Sequence, residues 1–451
     1  MRFRFLPLVI FAAPLAAQQQ PVADRYRDVA NKIIDAAMAD TSVAWHKMAA
    51  FVDYSGPRLS GSANLERGID WVLAEMKRDG LANVHAEPAM VPHWVRGHES
   101  LTMRQPREAD VPLLGLGGSI GTPAGGITAE LLVVKDFADL EKRTTEAKGK
   151  IVLFDVPFTD YGATVQYRGI GAIAAAKAGA VASLIRSVGP YGLHTPHTGA
   201  MRYDSTVARI PAGAIPMEDA MMFHRMQDRG QKVVLTLQME AQTLPDVPSR
   251  NVLGELTGRD KTGEIVAMGG HLDSWDVGMG AMDDAGGIVV AWEAAKLLKR
   301  LGLIPRRTIR VVGWVNEENG GRGGVAYRDA HANEPHSLLI ESDDGVFAPT
   351  GFSFTGSDAA RDIAKQVGVL LERIGAGTIS PDGGGADIGP LMRTGVPGMG
   401  LEVDGSKYFW FHHTQADTPD KLNPVEMQKC VAALAVMAYI IADLPDLLPR
   451  R

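Results

Sequence analysis

His271 and Asp273 stand two residues apart, and Asp283 and Asp284 follow on a glycine-rich return within the stretch GGHLDSWDVGMGAMDDAGG, residues 269–287. Side chains alternate along an extended chain. His271 and Asp273 therefore share a face, and the Asp can accept one imidazole N–H while the other ring nitrogen binds a metal. An Asp just before a helix is also an ordinary N-cap, and for Asp284 that reading stands beside the chemical one. Further along come Glu317-Glu318 and Glu341-Ser342-Asp343-Asp344. In a paired Glu, one carboxylate can ligate a metal while its neighbour serves as general base. Near the end, His412-His413 is followed by Asp417. Two adjacent histidines alone are more often a surface or core pair; beside these acids they complete a donor set.

The donor set has a charge count. Two divalent zinc ions bring four positive charges, Asp283, Glu318 and Asp343 supply three negative ones, and His271 and His413 add neutral nitrogens.

These residues need a scaffold that brings them to one edge. The apolar run Ile265 to Met268 predicts a buried strand, and Ile288 to Leu301 a helix after the Asp pair. Thr308 to Val315 predicts a strand ending at the Glu pair, and Ser337 to Ile340 another ending at Glu341. Each acid thus follows the carboxyl end of a strand, where α/β sheets place their ligands. Residues 21–80 carry a helical pattern broken by a turn at Ser55 to Ser62. From about Glu99 to Met239 the runs are shorter and β-like (Leu131 to Val134, Ile151 to Phe154), with many glycines and a helical segment from Gly171 to Ala178. Leu244 to Pro248 predicts a linker back, and Pro424 to Leu444 a closing helix. Alternating strands and helices imply an α/β fold with a mixed, mainly parallel sheet and helices on both faces.

The metal-site residues, with VASLIRSVGPY, PHTG, HLDSWDVG, GAMDD, ESDDG, GVPG and KYFWFHH, resemble in order and context the M28 family of dinuclear zinc exopeptidases, and within it the plasma glutamate carboxypeptidase branch. The resemblance covers nearly all of the chain after the leader. It implies that His271 and Asp343 hold one zinc, that Glu318 and His413 hold the other, and that Asp283 bridges them. It makes Glu317 the general base, which takes a proton from the attacking water and passes it to the leaving amine. Asp273 and Asp417 become orienting residues behind the ligands. Some relatives place a tyrosine before the last histidine ligand to stabilise the oxyanion. This chain has His412 there, so His412 or another group such as Tyr408 takes that part, and the two stay open. The resemblance also implies a protease-associated-type, β-rich domain inserted at 99–244, a catalytic domain in two parts (21–98 and 245–451), and a possible homodimer. Asp387, in a glycine-rich turn, is an expected substrate contact.

The expected activity is hydrolysis of dipeptides or of terminal residues of short peptides, carboxypeptidase- or dipeptidase-like. An aminopeptidase of the same family, a glutaminyl-cyclase-like aminoacyltransferase with one zinc, and a noncatalytic binding protein on the same fold are the alternatives. Polarity turns on one charged group near the pocket, with Arg393, Lys407 and Asp387 as candidates.

With 46 basic and 53 acidic residues and a net charge of -7, nothing electrostatic points to nucleic acid or an anionic membrane. Arg2 and Arg4, an apolar stretch from Phe5 to Leu15 and Ala16-Ala17 predict a signal peptide over residues 1–17, hence a secreted or periplasmic protein. No other segment is expected to be long and apolar enough for a membrane helix. Cys430 is the only cysteine, so no internal disulfide forms. His194 and His197 lie in the Pro/Gly loop 189–199 without acidic neighbours in sequence, which argues against a second metal site and suggests a cover for the substrate.

Overall fold

The computed structural model describes residues 21–260 and 263–450; the expected signal peptide, 1–17, lies outside the described residues. Two eight-stranded sheets organise the chain. In the first the strands run in the order Ala82–Val95, Gln242–Leu256, Thr308–Trp314, Ile265–His271, His336–Glu341, Gly398–Val403, Pro349–Thr355, Thr378–Pro381. The four in the middle, from Thr308–Trp314 to Gly398–Val403, are mutually parallel, and antiparallel strands flank them.

The middle strands are buried at nearly every position and mainly apolar, because both faces are covered. Val266 and Met268, with Val311, Leu338 and Ile340, turn toward the helices Val22–Met38, Val43–Ser55, Ala63–Arg78, Gly286–Arg300, Asp358–Leu371 and Pro424–Asp443. Ile265 and Ala267, with Val312, Trp314 and Leu339, turn the other way, against Tyr327 of Arg322–His331 and Leu391 of Gly389–Met392. The period-two alternation thus divides one run of residues between two cores.

Pro424–Asp443 corrects one expectation. It is long and apolar enough to cross a membrane by length and composition, but 83% of its most apolar window is buried inside the protein. It packs along Gly286–Arg300 and Val22–Met38 as the central helix of the larger core, and Cys430 is sealed within it. A helix apolar all round is what such a position requires.

The predicted linker at Leu244 to Pro248 is likewise replaced by structure. Those residues lie inside the strand Gln242–Leu256, which pairs antiparallel with Ala82–Val95 from Glu255 opposite Ala82 to Gln242 opposite Val95. The chain leaves and re-enters the first sheet along a two-stranded ribbon, and Pro245 and Pro248 are tolerated because this pair forms the sheet's edge.

The second sheet occupies 99–239, in the order Ala109–Val111, Glu99–Gln105, Val234–Met239, Ile127–Val134, Ile151–Phe154, Ala182–Arg186, Ala212–Ile215, Leu114–Gly115. It has its own apolar clusters, one built on Leu153, Leu184 and Phe223, the other on Val152, Phe154 and Ala172. The helix expected from Gly171 starts earlier, at Tyr161, where the Asp160 carboxylate accepts from the Ala163 amide at 2.8 Å. A second helix, Met217–Asp228, covers the sheet's Leu184 side.

Gly269 sits where the site strand passes closest to its neighbour. A Cβ there would fall 1.8 Å from the Val312 carbonyl oxygen and 2.8 Å from the Trp314 ring. Neither backbone nor buried indole can yield cheaply. Gly269→Ala is expected to destabilise the fold by about 1–3 kcal/mol through overpacking, seen as a lower thermal midpoint; an unchanged midpoint would contradict the tight strand spacing.

Candidate metal centre

The first sheet delivers the chemical residues to one edge. His271 is the last residue of its strand. Glu317 and Glu318 follow the end of Thr308–Trp314, and Asp343 follows His336–Glu341. Asp283 comes from the loop before Gly286–Arg300, joined to Asp284 by a cis peptide bond, and His413 follows the short helix Tyr408–Phe411.

Their atoms fall into two groups. His271 Nε2 lies 3.1 Å from Asp283 Oδ1 and 3.1 Å from Asp343 Oδ1. His413 Nε2 lies 3.0 Å from Glu318 Oε2 and 3.4 Å from Asp283 Oδ2. The two oxygens of Asp283 therefore face two different imidazoles. His271, Asp283 and Glu318 also bring ligand atoms within 4.8 Å of one another. Two imidazole nitrogens and three carboxylates form a donor set suited to divalent zinc. Glu318 Oε1 is buried without a hydrogen-bond partner, and the set therefore fits a pair of such ions on this structure's own atoms.

Behind the donors, main-chain hydrogen bonds fix the geometry. His271 Nδ1 faces the backbone carbonyl of Asp273 at 2.9 Å. The expected acceptor, the Asp273 carboxylate, is 3.8 Å away; it takes the Glu317 amide at 3.1 Å, the Glu318 amide at 3.4 Å and Ser60 Oγ at 3.3 Å. Asp273 thus orients the histidine through its main chain and the glutamates through its side chain. Asp417 accepts from the amides of Ala281 (3.1 Å), Met282 (2.7 Å) and Asp283 (3.2 Å), which holds the loop carrying Asp283. Asp284 accepts from the His271 amide at 3.0 Å and from the first-turn amide of Gly287 at 2.9 Å; its capping role is realised, and it braces His271 as well.

Arg58, in the turn before Ala63–Arg78, was not singled out from sequence. Fully buried, it donates from Nε to the Leu272 carbonyl (2.8 Å), from Nη1 to Met279 (2.7 Å) and from Nη2 to Gly280 (2.9 Å). Burial pulls its guanidinium down to about 10, against the attraction of Asp417, Asp273, Asp284 and Glu318. The signal was a lone Arg in a Gly/Pro/Ser turn, which carries no information about what it reaches.

The electrostatics state what the site lacks. Burial pushes Glu318 up to about 7, with Asp283 adding repulsion, and lifts Glu317 well above the usual carboxylate range, with Asp343 adding to it. Burial opposes ionisation of Asp283 too, but hydrogen bonds from His271 and His413 outweigh it and hold that carboxyl well below its ordinary value. Burial would lower His413, yet Glu318 and Asp283 raise it to about 9, and the acids around His271 raise that ring in the same way. So many carboxylates in one dry place draw in positive charge, from protons or from metal ions, and metal binding releases the protons.

Asp283, Glu318, Asp343 and His413 line a cavity of about 260 Å³, near the small end for ligand sites. Glu317, Asp344, Tyr408, Phe409 and His412 share its wall. Tyr408 donates its hydroxyl hydrogen to the Asp343 carbonyl at 3.3 Å. His412 stacks on His413, ring centroids 3.5 Å apart, with its Nε2 3.7 Å from Asp283 Oδ2. Burial, with the neighbouring His413, holds His412 neutral, well below its ordinary value, so it keeps one N–H to donate. Asp387 is 1% exposed, its amide donates to the Glu341 carboxylate at 3.0 Å, and it is not among the residues that line this cavity. Arg393 and Lys407 are exposed and also lie outside the wall.

Two lining residues come from the second sheet's domain, Tyr161 and Arg168 on Tyr161–Lys177. Their seven-residue spacing, a signal present in the sequence, puts them on one helix face. The loop 189–199 sits elsewhere than expected. Its Thr198 amide donates to the His413 carbonyl at 3.0 Å, and His413 Nδ1 faces the Thr198 carbonyl at 3.3 Å. The loop thus backs the histidine instead of covering the cavity. His194 does have an acidic partner, Asp219 at 2.7 Å, brought from another element by folding.

Comparison with known proteins agrees with this geometry. Residues 251–438 match the model of peptidase family M28. The chain is 48% identical to carboxypeptidase Q of Mus musculus over 429 residues, 94% of this chain and 91% of that protein. It is 47% identical to carboxypeptidase Q of Homo sapiens, covering 94% and 90%. The crystal structure of a peptidase M28 precursor from Shewanella amazonensis SB2B superposes with a TM-score of 0.91 at 34% identity, covering 95% of this chain and 99% of that one. A zinc aminopeptidase from Bacillus subtilis, 21% identical, shares the fold with a TM-score of 0.65, covering 90% and 98%.

Asp417→Ala removes three acceptor contacts from the Asp283 loop. It is expected to weaken metal affinity by about 10–100-fold, the usual scale for residues that orient ligands, as read by competition with a chelator. Wild-type affinity would mean that the loop holds without Asp417.

Proposed function

The chain belongs to peptidase family M28, and from that membership we propose that it is a dinuclear zinc exopeptidase that splits dipeptides and trims short peptides from the carboxyl end. The observation that carries the reading is the divergence of the Asp283 oxygens toward His271 at 3.1 Å and His413 at 3.4 Å. In this assignment His271 and Asp343 hold one zinc, Glu318 and His413 the other, and Asp283 lies between them. Zinc held there supplies Lewis acidity for the scissile carbonyl and for the attacking water.

The chain's own groups do the rest. Glu317 lies in the cavity wall next to the donors without belonging to either cluster of imidazole contacts, which leaves it free to take the water's proton and return it to the leaving amine. A carboxyl whose proton affinity is raised by burial suits both steps. His412, neutral and with an N–H to give, is assigned the oxyanion, since Tyr408 spends its hydrogen on a backbone carbonyl. The small cavity favours short substrates. The carboxypeptidase assignment draws on the name carried by the relatives that match nearly the whole chain. We assign 99–244 as a protease-associated-type insert, supported by its separate sheet and cores; the N-terminal reading of a signal peptide supports export.

Glu317→Gln keeps the shape and removes the base. It is expected to retain two zinc ions per chain and to lose turnover by about a hundredfold or more; activity within a few fold of the parent would refute the role. Asp283→Ala removes the shared donor and should lower zinc content together with activity, as measured by elemental analysis of the dialysed protein. A variant that still holds two ions would refute the bridge.

A further inference from the structure

Arg96 stands where the chain leaves the ribbon strand Ala82–Val95 for the second sheet, and its guanidinium is fully engaged. Nε and Nη2 form a fork on the Asp276 carboxylate, at 2.8 and 2.6 Å. Nη1 donates to the Gly115 carbonyl at 2.6 Å and to Glu99 at 3.3 Å, and Nη2 also donates to Thr198 Oγ1 at 3.3 Å. These are five contacts for the five N–H donors that a guanidinium carries. The side chain is only 11% exposed. Its partners come from three places: Asp276 from the loop after His271, Glu99 and Gly115 from strands of the second sheet, and Thr198 from the loop behind His413. A lysine, with one compact charge in place of a planar fork, cannot serve all of them together.

Thr198 is fully buried and held from two sides. Its hydroxyl accepts from Arg96 and donates its own hydrogen to the Gly115 carbonyl at 2.8 Å, the same carbonyl that Arg96 takes. From this fixed position the main chain of Thr198 meets His413 twice, amide to carbonyl at 3.0 Å and carbonyl to Nδ1 at 3.3 Å. A carbonyl only accepts, so Nδ1 carries the ring hydrogen and Nε2 turns a lone pair toward Glu318 and Asp283, as a metal requires. Next to Asp276, Trp275 packs its ring 5.6 Å from that of His413, and a Cβ on Gly117 of the insert would meet the indole at 2.0 Å. The two histidines of the centre thus differ in how they are oriented. The acceptor behind His271 is the Asp273 carbonyl, two residues along the same loop, whereas the acceptor behind His413 lies 215 residues away in the other sheet's domain.

We propose that Arg96 is a positioning residue for one half of the metal centre: by holding Thr198 against His413 it sets the affinity for zinc on the Glu318–His413 side, while the His271–Asp343 side is oriented locally. The inference rests on the dinuclear zinc assignment above. It makes docking of the insert, through the Arg96–Asp276 fork, a condition for filling one of the two positions.

The test follows release of zinc from the full chain in competition with a chelator, with the thermal unfolding transition recorded for every variant. Wild type is the control for the underlying reading: fewer than two zinc ions per chain would overturn the dinuclear assignment itself. Arg96→Gln is expected to weaken one of the two ions by about tenfold or more, the scale seen when a partner behind a ligand is lost, and to leave the other within a few fold. Thr198→Val, which removes the hydroxyl and keeps the main chain, should weaken the same ion several-fold, and Thr198→Ser should recover what Thr198→Val loses. The double variant Arg96→Gln with Thr198→Val should bind that ion about as well as Arg96→Gln alone, because both changes break one route. Equal weakening of both ions would make Arg96 a general support of the fold, no weakening would remove it from the metal centre, and fully additive losses would separate it from Thr198; each overturns the proposal. Should Arg96→Gln show no cooperative unfolding, the threonine pair decides: a loss confined to one ion in Thr198→Val and recovered in Thr198→Ser supports the route, and equal affinities in the two overturn it.

Discussion

Like charges converge on the carboxyl edge of the parallel strands, and the rest of the structure is arranged around that repulsion. Asp283, Glu317, Glu318 and Asp343 share one small cavity, with Asp273, Asp284 and Asp417 fully or nearly fully buried behind them. Two carboxylates in a dry site resist ionising together. The protein meets this with fixed dipoles: seven of the amide contacts described above end on Asp273, Asp284 or Asp417. The buried guanidinium of Arg58 ties three carbonyls of the same loops to the turn before the third helix. The positive charge still missing is what a pair of dications supplies.

The two sheets meet at that edge. Thr198 exchanges main-chain and side-chain hydrogen bonds with His413, and Tyr161 and Arg168 form one wall of the cavity. Arg96, just past the ribbon strand Ala82–Val95, pairs with Asp276 at 2.6 and 2.8 Å, and Gly117 lies against the ring of Trp275. The insert therefore contributes to the shape of the site itself. His413 adopts a φ of +60°, a backbone region uncommon for a residue with a Cβ, and the insert's Thr198 bonds to that backbone.

Much of this was legible in the sequence because the chemistry is local to strand ends. The apolar runs before His271, Glu317 and Asp343 predicted strands that the structure has, with boundaries moved by one to three residues. What failed to read depended on partners far away in sequence. Alternation put Asp273 on the face of His271, yet a carbonyl supplied the contact because the carboxylate is claimed by two amides some forty residues on. Leu244 to Pro248 has the composition of a linker and becomes a strand only through its partner Ala82–Val95. Asp387 resembles an exposed turn residue until Glu341 and the strand end enclose it. Arg58 and Arg168 are each a lone cation in the chain, and nothing in their neighbours names the acids they will face.

The ribbon also orders events during synthesis. The second sheet is complete once Met239 has been made, whereas Ile265–His271, Thr308–Trp314 and His336–Glu341 come only later, and the helices Val22–Met38, Val43–Ser55 and Ala63–Arg78 pack on a core they largely supply. A nascent chain thus has an insert able to close on its own contacts while the three leading helices wait with their apolar faces uncovered. Parallel strands joined through long crossovers form slowly, and domains tend to fold as units in the order they emerge. The period between Met239 and the closing helix Pro424–Asp443 is when this polypeptide most needs shielding from its neighbours.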